Sequence, residues 1–140
     1  MLPVTEAFMN AFKESEFECE LYESETEDRV HILVNGEVFG PRYLVARFPR
    51  EGGYVSVMLP EFIEIPKGKS HVAVTTANDL HRTSHLVKFW VDKKNRTVWA
   101  IAHTFVQEAD AVAMTTDAVA LLMNYCNRVY PTFEKAFQTV

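Results

Sequence analysis

Two histidines set four residues apart, His81 and His85, form the first pair in this chain whose spacing permits chemistry. On a helix that spacing brings two imidazoles to one face and supplies half of a zinc site. A zinc peptidase would add a glutamate between them as base, but the intervening residues are Arg82, Thr83 and Ser84, and a guanidinium repels a cation. With His103 as a third imidazole, the set defines one functional alternative: a small-ligand or metal-binding domain. It requires the three rings to converge on a cleft that also holds a carboxylate.

Nucleophilic catalysis would fall to Cys19 or Cys126, the chain's two thiols. A reactive thiol needs a base beside it and an accessible, electropositive setting. Cys126 shares a three- and four-residue rhythm with Leu122 and Val129, and Cys19 alternates with Phe17 and Leu21, so both are expected to point inward as small hydrophobes. An acidic run follows Glu14: Glu16, Glu18 and Glu20, then Glu23, Glu25, Glu27 and Asp28. Alternation places Glu16, Glu18 and Glu20 on the side of a strand away from Phe17, Cys19 and Leu21, the pattern of a solvated face. Like charges in a row discourage edge-to-edge aggregation and can steer a basic partner. The polar SETED stretch lacks the glycine-bearing spacing of a calcium loop, and the five glycines form neither a GxGxxG nor a Walker pattern. The residues therefore predict no catalytic, metal-binding or cofactor-binding set.

Aromatic residues remain. The stretch LVKFWVDKKNRTVWAIAHTFV, residues 86–106, reads as two strands around a polar turn. If Asp92 pairs with Thr97, Trp90 faces Trp99, Lys88 faces Ile101 and Leu86 faces His103. The opposite side becomes Phe89 with Ala100, Val91 with Val98 and Val87 with Ala102, wholly apolar, with small alanines that let a helix approach. A three-residue turn would instead pair Val91 with Trp99 and separate the tryptophans. The tryptophan side also carries Leu86, Ile101 and Phe105, mixed with Lys88 and His103. Such a patch either marks an interface or lies under a second layer of the same chain. Trp90, Trp99, Ile101 and His103 are accordingly the candidate interaction residues, with Asn78 and Asp79 on a neighbouring helix behind them.

The elements that must position these side chains follow from hydrophobic period. Val4, Ala7, Phe8, Ala11 and Phe12 fall at helical spacing, and Pro3 suits a first-turn position, which predicts a helix over residues 4–14. EFECELYES and RVHILV read as strands joined by SETED, and Gly36 and Gly40 bracket the next break. A turn centred on Glu51 and Gly52 puts Leu44, Ala46 and Phe48 on one face with Val55, Val57 and Leu59. Tyr43, Arg47, Tyr54 and Ser56 take the other. Pro60 and Pro66 are expected to end that ladder, since proline cannot donate to it. Residues 70–84 predict a helix, with Ala73, Ala77, Leu80 and Ser84 on one face. Val119, Leu122, Cys126, Val129, Phe133 and Phe137 predict a long last helix. Thr115 or Thr116 should cap it, Asp117 should complement its dipole, and Pro131 should bend it after about residue 128. The order α-β-β-β-β-α-β-β-α implies an α+β fold, an antiparallel sheet with packed helices, in one domain over residues 1–140.

Composition limits the partners. A formal charge of -5, from 14 basic and 19 acidic residues, provides no basic stripe for nucleic acid or anionic membranes. No apolar run approaches the ~18 residues that span a bilayer, and the N-terminal residues do not read as a signal peptide, so a cytoplasmic setting is expected.

Three segments, PRYLVARFPREGGYVSVMLP, AVTTANDLHRTSHLVKFWVDKKNRTVWAIAHTF and NRVYPTFEKAF, resemble the YbjN-type family of bacterial sensory transduction regulators. The resemblance runs from about Pro41 onward. Its most specific parts are Asn78-Asp79-Leu80 leading into a KFW strand, and the pair Tyr130-Pro131. His81 stands where members often carry a second asparagine, and the basic spacer KKNR replaces a more usual acidic or glycine-containing turn. The resemblance implies a fold like that of type III secretion chaperones, a homodimer and no catalysis. The function expected is a non-catalytic protein-interaction module, chaperone-like or regulatory, that binds a protein partner or client through an apolar sheet or helix surface.

Overall fold

Apolar residues at every second strand position give the sheet one dry face, and all three helices pack on it. The structure, a computed structural model, describes residues 1–138. The last two positions of the domain expected over residues 1–140 lie outside the described residues. Helix α1 (Pro3–Glu14) is followed by strands β1 (Cys19–Glu23), β2 (Glu27–Gly36), β3 (Gly40–Pro49) and β4 (Tyr54–Glu64). Helix α2 (Ser70–His81), strands β5 (Val87–Asp92) and β6 (Thr97–Phe105) and helix α3 (Ala111–Phe137) complete the chain. This is an α+β fold in the order α-β-β-β-β-α-β-β-α, as the periodicities imply. The six strands form one antiparallel sheet in the order β1-β2-β3-β4-β6-β5.

On the dry face, Val30 and Ile32 of β2, Leu44, Ala46 and Phe48 of β3, and Val55, Val57 and Leu59 of β4 are all buried. Phe89, Val98, Ala100 and Ala102 continue that surface across β5 and β6. Against it α1 sets Phe8 and Phe12, α2 sets Ala73 and Ala77, and α3 sets Leu122, Cys126, Val129 and Phe133. Each large side chain fully buried in this way contributes about 1.5–3 kcal/mol of transfer free energy. The alanines of β6 leave the space into which α3 packs.

Helix α1 owes its placement to a side chain from another element. Oδ2 of Asp28 accepts from the backbone N–H of Leu2 (2.7 Å) and from the hydroxyl of Thr5 (2.8 Å). Its Oδ1 takes a charged hydrogen bond from Arg50 Nη2 (2.7 Å). A helix start has unsatisfied N–H groups that favour a carboxylate, and Asp28 supplies one across the sheet edge.

Several boundaries differ from expectation. Strand β1 begins at Cys19 rather than Glu16, because Glu16 terminates α1 instead. It takes a left-handed φ of 67°, while its N–H and that of Phe17 bond back to the carbonyls of Lys13 and Phe12. Pro60 does not end β4. The ladder between β4 and β6 passes from Leu59–Ala100 to Ile63–Val98, so residues 60–62 stand opposite Trp99 alone. That bulge absorbs the proline and sends Phe62 into the core, with Glu61 in a left-handed conformation at φ 55°. Helix α3 starts a turn before Thr115. Both threonines bond backwards, Thr115 to the Ala111 carbonyl (2.6 Å) and Thr116 to that of Val112 (2.8 Å), so neither is a cap. Asp117 therefore lies beyond the first turn, and Asp110 holds the N-cap position. Helix α3 extends through Pro131 to Phe137, with Val129 and Phe133 buried on either side of the proline.

Candidate functional site

The other face of the sheet has no helix over it, and its residues follow from the same alternation. Across β5 and β6 the register is Trp90–Trp99, Lys88–Ile101 and Asp92–Thr97, with Val87–Ala102, Phe89–Ala100 and Val91–Val98 on the dry side. The even turn that this register needs is residues 93–96. Asp92 organises it by accepting from the backbone (3.2 Å) and the side chain (2.8 Å) of Asn95, while Arg96 takes a φ of 53°. Leu86 lies one residue before β5, outside the ladder that would pair it with His103.

The two tryptophan rings lie 5.5 Å apart, tilted at 54°. Trp90 is 60% exposed and Phe105 89% exposed, and Trp99 and Ile101 are half-buried. Tyr43, Tyr54, Tyr22 and Leu33 extend the exposed aromatic and aliphatic surface across β4, β3, β2 and β1. At its centre Val45 and Met58 are buried among neighbouring side chains of the same face. Of the residues read as interaction candidates, Trp90, Trp99, Ile101 and His103 share this face. Asn78 and Asp79 do not: they are exposed on α2, in the helical layer beneath the sheet.

The histidines fail to converge. His81 belongs to the helical side, where its ring stacks on Phe89 (centroids 6.0 Å apart, 8° between planes) and Nε2 accepts from the Phe89 N–H at 2.8 Å. Burial, then the nearby Lys88 charge, hold its pKa below the ordinary histidine value, in keeping with a neutral acceptor. His85 lies past the end of α2 and is exposed, and His103 stands on the open face. Among the described residues no three His, Cys, Asp or Glu side chains are grouped to hold a metal.

Sequence reasoning missed two features of the open face. Ser56 and His103 sit opposite each other on β4 and β6, with Oγ and Nδ1 2.7 Å apart. Local sequence gives no sign of this pair, since it depends on β4 and β6 being neighbours. A nucleophilic serine also needs a group orienting the far side of the imidazole. No hydrogen bond to that nitrogen is present among the described residues, and the serine is buried. The second feature is a cleft of about 710 Å³ where β3 and β4 part, with Tyr43, Pro60, Glu61, Glu64 and Asn95 among its walls. Only three register pairs, Val45–Met58 to Arg47–Ser56, join these strands. Beyond them Arg42 Nε spans the gap to the Phe62 carbonyl at 3.3 Å.

The acidic run divides in the structure. Glu18 and Glu20 are exposed on the β1 side, as alternation requires. Glu27, on the open face, is buried against two arginines, accepting from Arg47 Nε (2.7 Å) and Arg29 Nε (2.9 Å). The Arg47 hydrogen bond holds its carboxyl below the usual range, against the opposing effect of burial. The Cys126 thiol is buried and burial pushes its pKa up, the reverse of what a nucleophile needs.

No helix among the described residues is long and apolar enough to cross a membrane. No family model, curated protein or solved structure matches the chain.

Proposed function

We propose that this chain is a non-catalytic protein-interaction module that works as a homodimer through the open face of its sheet. In this reading it is a chaperone-like or regulatory protein of the YbjN type, with the type III secretion chaperone-like character that the resemblance implies. One observation carries it: Trp90 and Trp99 lie together on a sheet face that no helix covers, with exposed Phe105 and Tyr54 at the other end of the same face. Exposed aromatic surface of this kind is costly in water, and tryptophan is among the side chains enriched as interface anchors. When the faces of two copies are packed together, β1 and β5 remain free edges along which an extended client segment can add.

Sedimentation equilibrium of the wild type and of Trp99→Ser tests this. The wild type should associate, and the substitution should weaken association by about tenfold or more, the loss of a single anchoring side chain, while the far-UV circular dichroism stays unchanged. A wild type that remains a strict monomer at high concentration sinks the proposal.

A further inference from the structure

Resting on that reading, we propose that the two copies pack open face to open face about a two-fold axis running along the strands, so that Glu20 of each protomer meets the partner's Lys88. The registers define one continuous row across the whole open face: Glu20, His31, Val45, Met58, Ile101 and Lys88. The row is apolar at its centre, where Val45 and Met58 are buried, and it ends in an exposed carboxylate on β1 and an exposed ammonium on β5. Other acids of the open face are met within the protomer, Glu27 by Arg29 and Arg47 and Asp92 by Asn95, so the asymmetry lies in the charges at the edges. Glu18 lies beside Glu20 on the β1 side, and Lys93, Lys94 and Arg96 occupy the turn after β5.

Two identical sheet faces can be related by a two-fold axis in the plane between them in two principal ways. An axis perpendicular to the strands lays each edge over its own copy, acid on acid and base on base. An axis parallel to the strands exchanges the edges, so acid lies over base at both ends and β3 of one protomer crosses β4 of the other. Only the second arrangement is electrostatically complementary, and like charges placed face to face act against the first. Packed sheets lie about 10 Å apart, a gap that a glutamate and a lysine reaching from opposite sides can close. The axis then runs over the line where β3 and β4 part. The adjacent row brings Leu33 of one protomer to the partner's Trp99.

The test uses the full chain carrying Cys19→Ser, which removes the accessible native thiol, with Glu20→Cys or Lys88→Cys added singly. Within one protomer these positions are five strand spacings apart, about 24 Å. A mixture of the two single variants should give a covalent dimer with a short bismaleimide, which spans the roughly 10 Å between packed sheets that a disulfide cannot, and neither variant alone should. Separately, Glu20→Lys and Lys88→Glu should each weaken the dimer by about tenfold, and the double variant should restore it to within about threefold. Self-crosslinking of Glu20→Cys overturns the proposal in favour of the perpendicular axis. A dimer that is disrupted by Trp99→Ser but shows no mixed crosslink and no charge-reversal rescue overturns this geometry alone. A wild-type monomer removes the association itself.

Discussion

Phe62→Ala should cost about 3–5 kcal/mol, a third or more of the stability ordinary for a domain of this size. The ring is fully buried, and its centroid lies 5.4 Å from Phe39, 6.0 Å from Phe89, 5.7 Å from Tyr130 and 6.1 Å from Phe133. It therefore ties the β2–β3 turn, strand β5 and helix α3 to one point. Collapse of the surroundings cannot easily fill the space, because Phe62 hangs from the bulge at residues 60–62 and the backbone there is fixed by Pro60 on one side and the Ile63–Val98 pairing on the other. Gly36 shows how closely this cluster is packed: a Cβ on it would run into the Phe39 ring. Urea unfolding should show a lower midpoint with an unchanged slope, and Phe62→Leu should lose much less. A loss below about 1 kcal/mol for the alanine variant would mean that the cluster is not where the helices and sheet are joined.

Asp28→Ala should cost about 2–3 kcal/mol, since it leaves the buried Thr5 hydroxyl and the Leu2 N–H without an acceptor, while Arg50, which is partly exposed, can turn to solvent. The same site sets an acid limit. Burial favours the protonated form, but the hydrogen bonds from Leu2 and Thr5 and the charge of Arg50 outweigh it, and the carboxyl is held below the ordinary aspartate value. A carboxyl whose folded-state pKa is depressed stabilises fully above its unfolded value, near pH 4, and that contribution is lost as pH falls through the lower folded value. Wild-type stability should thus fall steeply below about pH 4, and Asp28→Asn should show a lower plateau with a shallower acid limb. Glu27, depressed in the same direction, retains part of the slope in the variant. Parallel pH profiles for the two proteins, offset by a constant, would show that Asp28 does not carry the effect.

What the sequence made legible, and what it did not, divides along physical lines. The hairpin of β5 and β6 was legible up to the parity of its turn. An even turn keeps Phe89, Val91 and Val98 on the dry side with Trp90 opposite Trp99, as the structure has it, whereas a three-residue turn, equally open to the sequence, would have separated the tryptophans. The faces of β3 and β4 followed for the same reason. Neighbour relations between distant strands are not encoded in local period, so the contact of β4 with β6, and with it the Ser56–His103 pair, was out of reach. Pro60 misled because a proline ends a strand that is paired on both sides, whereas here the pairing with β3 has already stopped and a bulge takes up the rest. Thr115 and Thr116 misled because a hydroxyl that can cap a helix can equally bond back to a carbonyl inside it. Asp28 reads as one more solvated acid in a run, and only folding places it beneath α1. Alternation fixed which residues share the tryptophan face, yet it is identical for a face turned to water and a face under a second layer. Exposure therefore had to come from the placement of the helices.

The three-pair junction between β3 and β4 has a mechanical side. Strand β4 is paired with β6 over most of its length and with β3 over three residues, so beyond those pairs the two strands are held together by Arg42 reaching the Phe62 carbonyl and by the Phe39–Phe62 contact rather than by the backbone ladder. Helix α1 packs on β1, β2 and α3, and α3 packs on β4 and β6, so the helical layer bridges the junction from behind. The junction is therefore a seam in the backbone ladder that the core closes, and a change at the Phe39–Phe62 contact loosens the sheet along with the core.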